Sequence, residues 1–209
     1  MIKERLGADL DAVVYRIFPF VRSLRFHPDT LTLTGAAVSL FAAIAFAEEQ
    51  RFLAGLLLMV AGFFDLVDGV VARQQGLSSS AGAFFDSSID RLSDLMIFGG
   101  IVVARAHAGD ALGAALVMWA ITAAVMTSYT RAAAEKRLHA LKVGLIERGE
   151  RFGVLIVGAL TGFVMTAVVL IAAGATITAV QRVLAGRRLL GELEATGVDP
   201  TREDAASGG

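Results

Sequence analysis

The chain has 209 residues, 56% of them hydrophobic and 19% charged, with a formal net charge of −1 and a mean hydropathy of +0.66. A soluble domain is about 45–50% apolar, so the excess points to a lipid bilayer as solvent, and the near-zero charge excludes a global attraction to nucleic acid. The absence of cysteine excludes disulfides and thiolate metal sites.

The N-terminal segment is not a secretory signal, in which a short basic stretch leads at once into an apolar run. Lys3, Glu4, Arg5, Asp9, Asp11, Arg16, Arg22 and Arg25 are interleaved with Leu6, Leu10, Val13, Val14, Ile17 and Val21 at helical spacing. That pattern predicts an amphipathic helix over residues 1–26, lying on the membrane surface. A surface helix packed on protein is the blander alternative.

Apolar runs of about 20 residues mark membrane crossings. They fall at 31–47, 52–71, 83–106, 111–130, 152–161 and 163–181. The last two share one apolar stretch interrupted by Gly158 and Gly162. Two helices joined by a tight turn, the fifth extended toward Glu147, keep both flanks on one side. The expected fold is therefore an all-α integral membrane protein: six transmembrane helices in residues 27–190, preceded by the amphipathic interfacial helix. Residues 191–209 are polar and small, and are expected to form a disordered tail.

Lys and Arg orient such a chain. They gather in the N-terminal segment, at Arg73, along Arg131, Lys136, Arg137, Lys142, Arg148 and Arg151, and at Arg182, Arg187 and Arg188. The opposite loops carry chiefly Arg51 and Arg105. The positive-inside bias puts the first set, and both termini, in the cytoplasm, with the protein in the cell (inner) membrane.

Two neighbouring spans carry acids near their cytoplasmic ends. Asp65 and Asp68 lie three apart on the second, Asp86 and Asp90 four apart on the third, so each pair shares a helix face. A carboxylate within a span costs about 2.5–3.5 kcal/mol, and a cluster of them also repels. Arg73 and Arg91 are the cations close in sequence. A hard divalent cation offsets both costs better, because carboxylate oxygens suit magnesium, manganese or calcium. Four carboxylates suffice for two ions, which polarise a phosphoryl group and activate an attacking oxygen. Gly69, Ala72 and Gly82 leave room for approach, while Gly76, Ser78, Ser79 and Ser80 form a polar loop suited to phosphate. Arg73 supplies a planar cation suited to a diphosphate. From spacing alone, an ion or proton path is the competing reading.

The string Asp65-Leu66-Val67-Asp68-Gly69-Val70-Val71-Ala72-Arg73, followed by Gly82, Asp86 and Asp90 at fixed spacing, resembles the signature of the CDP-alcohol phosphotransferase (CDP-alcohol phosphatidyltransferase) family without a departure. The resemblance implies metal-dependent transfer of a substituted phosphate from a CDP-linked lipid, CDP-diacylglycerol, to an alcohol, with release of CMP. It implies metal ligation by Asp65, Asp68, Asp86 and Asp90, with two Mg2+ or Mn2+ ions, and Asp90 as the base that deprotonates the acceptor. It places Asp29, Thr30, Leu31, Thr32, Asp68, Gly69, Ala72, Arg73, Ser79 and Gly82 at the CDP donor, and it implies a homodimer.

Segments 128–135 and 145–151, with Gln181-Arg182, resemble those of actinobacterial phosphatidylinositol phosphate synthases. By that resemblance Ser128, Arg131, Arg148, Arg151 and Arg182 hold the phosphate of a phosphorylated polyol, inositol 1-phosphate. Arg131 stands where those enzymes carry Lys, Ala133 where Arg is usual, and Gly149 where Pro is usual. Glycerol 3-phosphate is the alternative acceptor, and the arginines also suit anchoring to anionic headgroups. His27, His107 and His139 show no metal spacing, Trp119 reads as a span or interface residue, and the pairs Gly109–Gly113 and Gly158–Gly162 suit helix contacts. A prenyltransferase reading is disfavoured by differently spaced acid motifs.

Overall fold

A computed structural model of the protein describes residues 26–138, 141 and 143–196, together with Arg16, Pro19 and Val21. Among the described residues there are six helices and no strand: α1 (Pro28–Ala47), α2 (Arg51–Gln74), α3 (Ser80–His107), α4 (Ala111–Ala134), α5 (Arg148–Thr161) and α6 (Val164–Thr196). The amphipathic helix expected over 1–26 lies outside the described residues except for isolated positions. Of these, Val21 is fully buried against Leu31, Val67, Val70 and Val71.

Each boundary has a local cause. α1 opens with Pro28, whose missing N–H costs nothing in a first turn, and Asp29 complements the positive helix end. α3 is capped by Ser79, whose Oγ accepts from the Gly82 N–H at 3.0 Å. α4 is capped by Asp110, which accepts from the Gly113 N–H at 2.8 Å. α5 opens with a reciprocal capping box between Glu147 and Glu150. It ends at Gly162 (φ 84°), a left-handed position that a side chain would strain, and α6 begins two residues later. The apolar stretch is thus two helices with a tight turn, broken at Gly162. The pair Gly109–Gly113 serves another purpose than helix contact: Gly109 sits in a turn (φ 70°) and Gly113 receives the Asp110 cap.

Four helices, α1, α2, α4 and α6, are long and apolar enough to cross a membrane. α3 is longer than a bilayer requires but carries Asp86, Asp90, Arg91 and Asp94 along its first four turns and to its middle. α5, with 14 residues, spans about 21 Å at about 1.5 Å per residue, short of the roughly 30 Å hydrocarbon core. α6 runs through 33 residues rather than stopping at 181, because Leu189, Leu190, Glu192 and Leu193 are good helix formers and Arg188 pairs with Glu192 at 2.8 Å. The first six residues of the expected tail are therefore helical, and the remainder lies outside the described residues.

The chain divides into two compact units, Met1–Ala104 and Arg105–Gly209. In the first, α1 packs along α2, with Gly35 close to Phe64 and the Ala61 carbonyl, and Gly100 of α3 presses against the backbone of Ala43. In the second, α6 packs on both α4 and α5. Gly158 admits the Ala167 methyl, and Trp119 Nε1 donates to Thr176 Oγ1 at 3.1 Å. Small residues carry these approaches, as expected where helices pack without a hydrophobic driving force between them.

Gly100 offers a direct test. A Cβ there would lie 2.8 Å from the Ala43 carbonyl carbon, whereas one at Gly99 meets nothing within 4 Å. Gly100→Ala is expected to destabilise the detergent-solubilised protein by about 1–3 kcal/mol, the cost of overpacking. Gly99→Ala should be neutral or stabilising by up to about 1 kcal/mol. Thermal unfolding of the two variants side by side reads the difference.

Candidate active site

The loop between α2 and α3 brings the acids together. α2 ends beyond Arg73, the chain turns through Gly76 (φ 65°), and α3 starts at Ser80. Asp65, Asp86 and Asp90 each direct a carboxylate oxygen into one region, all within 4.8 Å of one another. A hard cation with oxygen ligands at about 2.1–2.6 Å holds those oxygens at most about 4–5 Å apart. The donor set therefore fits one divalent ion held by three carboxylates.

Asp68 stands outside that group. It is buried, and its Oδ2 accepts from Thr32 Oγ1 at 2.6 Å. The three-residue spacing that puts Asp65 and Asp68 on one broad face separates them by about 60° around the helix. Asp65 meets the α3 acids, and Asp68 meets α1. Arg91 turns back to donate to the Ser87 carbonyl.

Beside the acids lies a cleft of about 790 Å3. Of the residues expected at a CDP donor, Asp29, Thr32, Asp68, Gly69, Ala72, Arg73, Ser79 and Gly82 line it. Thr30 and Leu31 do not. Thr30 is exposed, and Leu31 packs into the core with Val67, Val70 and Val71. Gly69 makes room for Arg73: a Cβ there would sit 3.4 Å from a guanidinium nitrogen. Ser79 uses one lone pair as the α3 cap and keeps its own proton to donate. The first turn of α3, at Ala81 to Ala83, also lines the cleft and presents the positive end of a 28-residue helix. Cation, hydroxyl and helix end together suit a diphosphate.

His27 lines the same cleft, 3.5 Å from Asp29, although its spacing carries no metal signal. Its adjacency to Pro28-Asp29 was the available clue. Gln75 Nε2 donates to the Phe26 carbonyl at 3.3 Å, fastening the approach to α1 onto the end of α2. No sequence pattern announces that link.

The residues expected at an acceptor phosphate all belong to the second unit. Arg182 is buried (4% exposed) and donates to the carbonyls of Val143 (2.7 Å) and Thr127 (2.8 Å) and to Glu147 Oε1 (2.9 Å). Arg131 donates to Glu135 at 3.1 Å and to Glu147 Oε1 at 3.4 Å. Arg151, equally buried, reaches Thr127 Oγ1 at 3.3 Å. Arg148 lies over the Phe152 ring, 5.7 Å from its centroid, and Ser128 is half-buried on α4. The structure thus gathers Arg131, Arg151 and Arg182 around Thr127 and Glu147. It also gives Arg182 a second task, holding the segment between α4 and α5 through main-chain carbonyls.

The sequence model of the CDP-alcohol phosphatidyltransferase family matches residues 25–186. This chain belongs to that family. Among curated relatives it is 38% identical over 181 residues to an archaetidylinositol phosphate synthase of Pyrococcus horikoshii, covering 84% of this chain and 91% of that one. It is 35% identical over 185 residues to a phosphatidylinositol phosphate synthase of Streptomyces avermitilis, covering 80% and 75%. The phosphatidylinositol phosphate synthase of Mycobacterium tuberculosis, solved with CDP-DAG bound, superposes with a TM-score of 0.71 at 25% identity, over 87% of this chain and 94% of that one. The same enzyme in complex with manganese and citrate gives 0.72 at 25% identity, over 86% and 88%. With its apolar helices, the chain is a multi-pass membrane protein and a transferase, and its acid cluster is suited to a divalent metal. The ion-path reading of the acids gives way to this membership.

The Thr32–Asp68 hydrogen bond yields a prediction at the site. Thr32→Val removes the donor to a buried carboxylate, a loss of about 1–3 kcal/mol. Thr32→Ser restores the hydroxyl. Thermal unfolding of the solubilised protein should show a lower Tm for the valine variant and near wild-type stability for the serine variant.

Proposed function

We propose that this protein transfers a phosphatidyl group from CDP-diacylglycerol to a phosphorylated polyol, inositol 1-phosphate, releasing CMP. The observation that carries the reading is the convergence of Asp65, Asp86 and Asp90 beside a cleft lined by Asp68, Gly69, Arg73, Ser79 and Gly82. The acceptor reading draws on the arginines around Glu147 and on relatives whose names share the inositol phosphate head group while differing in the lipid.

In this reading Arg73, the Ser79 hydroxyl and the first turn of α3 hold the diphosphate, and Asp29 and Thr32 border the nucleotide. A divalent ion, Mg2+ or Mn2+, when held by Asp65, Asp86 and Asp90, neutralises diphosphate charge and stabilises the leaving CMP. Asp68, oriented by Thr32, completes the carboxylate set, with capacity for a second ion. Asp90 accepts the proton of the acceptor hydroxyl as the new phosphoester bond forms and the bond to CMP breaks. The arginines of the second unit hold the acceptor's phosphate. Much of the rate then comes from positioning and electrostatics.

Six crossings, with α3 and α5 added to the four most apolar helices, fit the distribution of Lys and Arg described above. The positive-inside bias puts the acids at the cytoplasmic face of the inner membrane, where a lipid donor and a polar acceptor both have access. A homodimer accords with the family.

The test is acceptor screening in vesicles. Radiolabelled CDP-diacylglycerol is offered with inositol 1-phosphate, glycerol 3-phosphate, serine or free inositol, and the lipid product is identified. A metal-dependent product with inositol 1-phosphate is expected. Product with glycerol 3-phosphate alone moves the assignment to phosphatidylglycerophosphate synthesis, and product only with serine or free inositol refutes the basic-pocket argument. Asp90→Asn is expected to lower CMP release about 10²–10⁴-fold, the usual contribution of a positioned base. Normal turnover in that variant sinks the base assignment.

A further inference from the structure

Glu147 is the focus of the arginine cluster. Its Oε1 accepts from Arg182 at 2.9 Å and from Arg131 at 3.4 Å, so guanidinium groups from α6 and α4 converge on one oxygen. That is the arrangement a phosphate oxygen requires. Arg182 is 4% exposed, whereas the Glu147 side chain is 57% exposed. A buried guanidinium needs a compensating anion, and here the anion sits on a largely exposed side chain that also takes part in the capping box of α5. We infer that Glu147 is a built-in surrogate for the acceptor's phosphate: it holds Arg131 and Arg182 in place in the empty enzyme and is displaced when substrate binds.

The inference rests on the reading that the acceptor's phosphate binds at these arginines. Its physical content is competition. A resident carboxylate keeps the cationic groups from repelling one another apart, and every incoming anion must displace it. Neutral or cationic acceptors cannot make that exchange, so Glu147 contributes to selection for a phosphorylated alcohol. The same carboxylate also serves the capping box of α5: it accepts from the Glu150 N–H, while the Glu150 carboxylate returns to the Glu147 N–H at 2.9 Å, so its displacement gives up one cap bond and leaves the other in place.

The experiment measures binding of inorganic phosphate and of inositol 1-phosphate to the full-length protein in nanodiscs, alongside steady-state kinetics. Glu147→Gln removes the charge, and Glu147→Ser removes it while supplying a good helix cap. Both should tighten phosphate and inositol 1-phosphate about two- to fivefold, the weight of a partly exposed ion pair. KM for the acceptor should fall by the same factor, with KM for the donor unchanged. Glu150→Ala removes the returning bond to the Glu147 N–H and leaves the Glu147 carboxylate in place, and it should leave phosphate affinity unchanged. Unchanged or weaker phosphate binding in both Glu147 variants overturns the inference, making Glu147 a structural support. Arg131→Gln tells the two ideas apart: if it leaves wild-type phosphate and acceptor affinity intact, the acceptor site itself is misplaced and the inference falls with it.

Discussion

Three carboxylates within 4.8 Å of one another repel, and the rest of the first unit is arranged around that cost. Two unit charges at that distance oppose each other by about 3–4 kcal/mol at an effective dielectric of about 20. Nothing in the packing of α2 on its neighbours requires such a cluster, so the fold must hold it against its own tendency to open. It does so with rigid helices and close backbone contacts. Gly35 and Gly100 let α1 lie tightly against α2 and α3. A buried hydroxyl from α1 then fixes the fourth carboxylate, Asp68. A divalent cation turns the repulsion into ligation, and the energy stored in proximity becomes metal affinity.

Much of this was legible in the chain. The apolar runs located all six helices, and every end but the last to within about four residues, because hydropathy over a helix length is a long-range average that local exceptions barely disturb; the sixth helix continues fifteen residues past its apolar run, to Thr196. The aspartates were legible for the opposite reason: each is a costly exception inside an apolar run. What escaped were the partnerships. Thr32 and Asp68 lie 36 residues apart, and Arg182 and Thr127 lie 55 apart. No periodicity encodes which side chain will face which. The sequence therefore grouped Asp65 with Asp68, whereas the structure pairs Asp65 with the α3 acids. It likewise read Arg182 as a phosphate ligand without revealing that its nitrogens also hold main-chain carbonyls.

Glycines were ambiguous for a related cause. A small residue allows close helix contact, a left-handed turn or room for a cap, and spacing alone does not separate these. Gly158 does the first, Gly162 the second and Gly113 the third. The pair at 109 and 113 has the spacing of a helix-contact motif, yet its two members serve a turn and a cap.

The segment leading into α5 is fastened from outside itself. Thr178 Oγ1 accepts from the backbone N–H groups of Leu145 and Ile146, both at 3.0 Å, and Arg182 donates to the Val143 carbonyl. Both anchors stand one turn apart on α6 and hold the path of the segment through main-chain groups, the Glu147 carboxylate being the one side chain Arg182 also meets. Gly144 (φ 150°), crowded by the Thr178 methyl group, is the position whose own residue type matters to the path. The course of the segment is thus largely independent of the side chains it displays. Evolution can exchange those side chains, and with them the chemistry offered to an acceptor, without redrawing the backbone that presents them. A family that joins one kind of donor to many alcohols would draw its diversity from such a place: a fixed track with replaceable fittings.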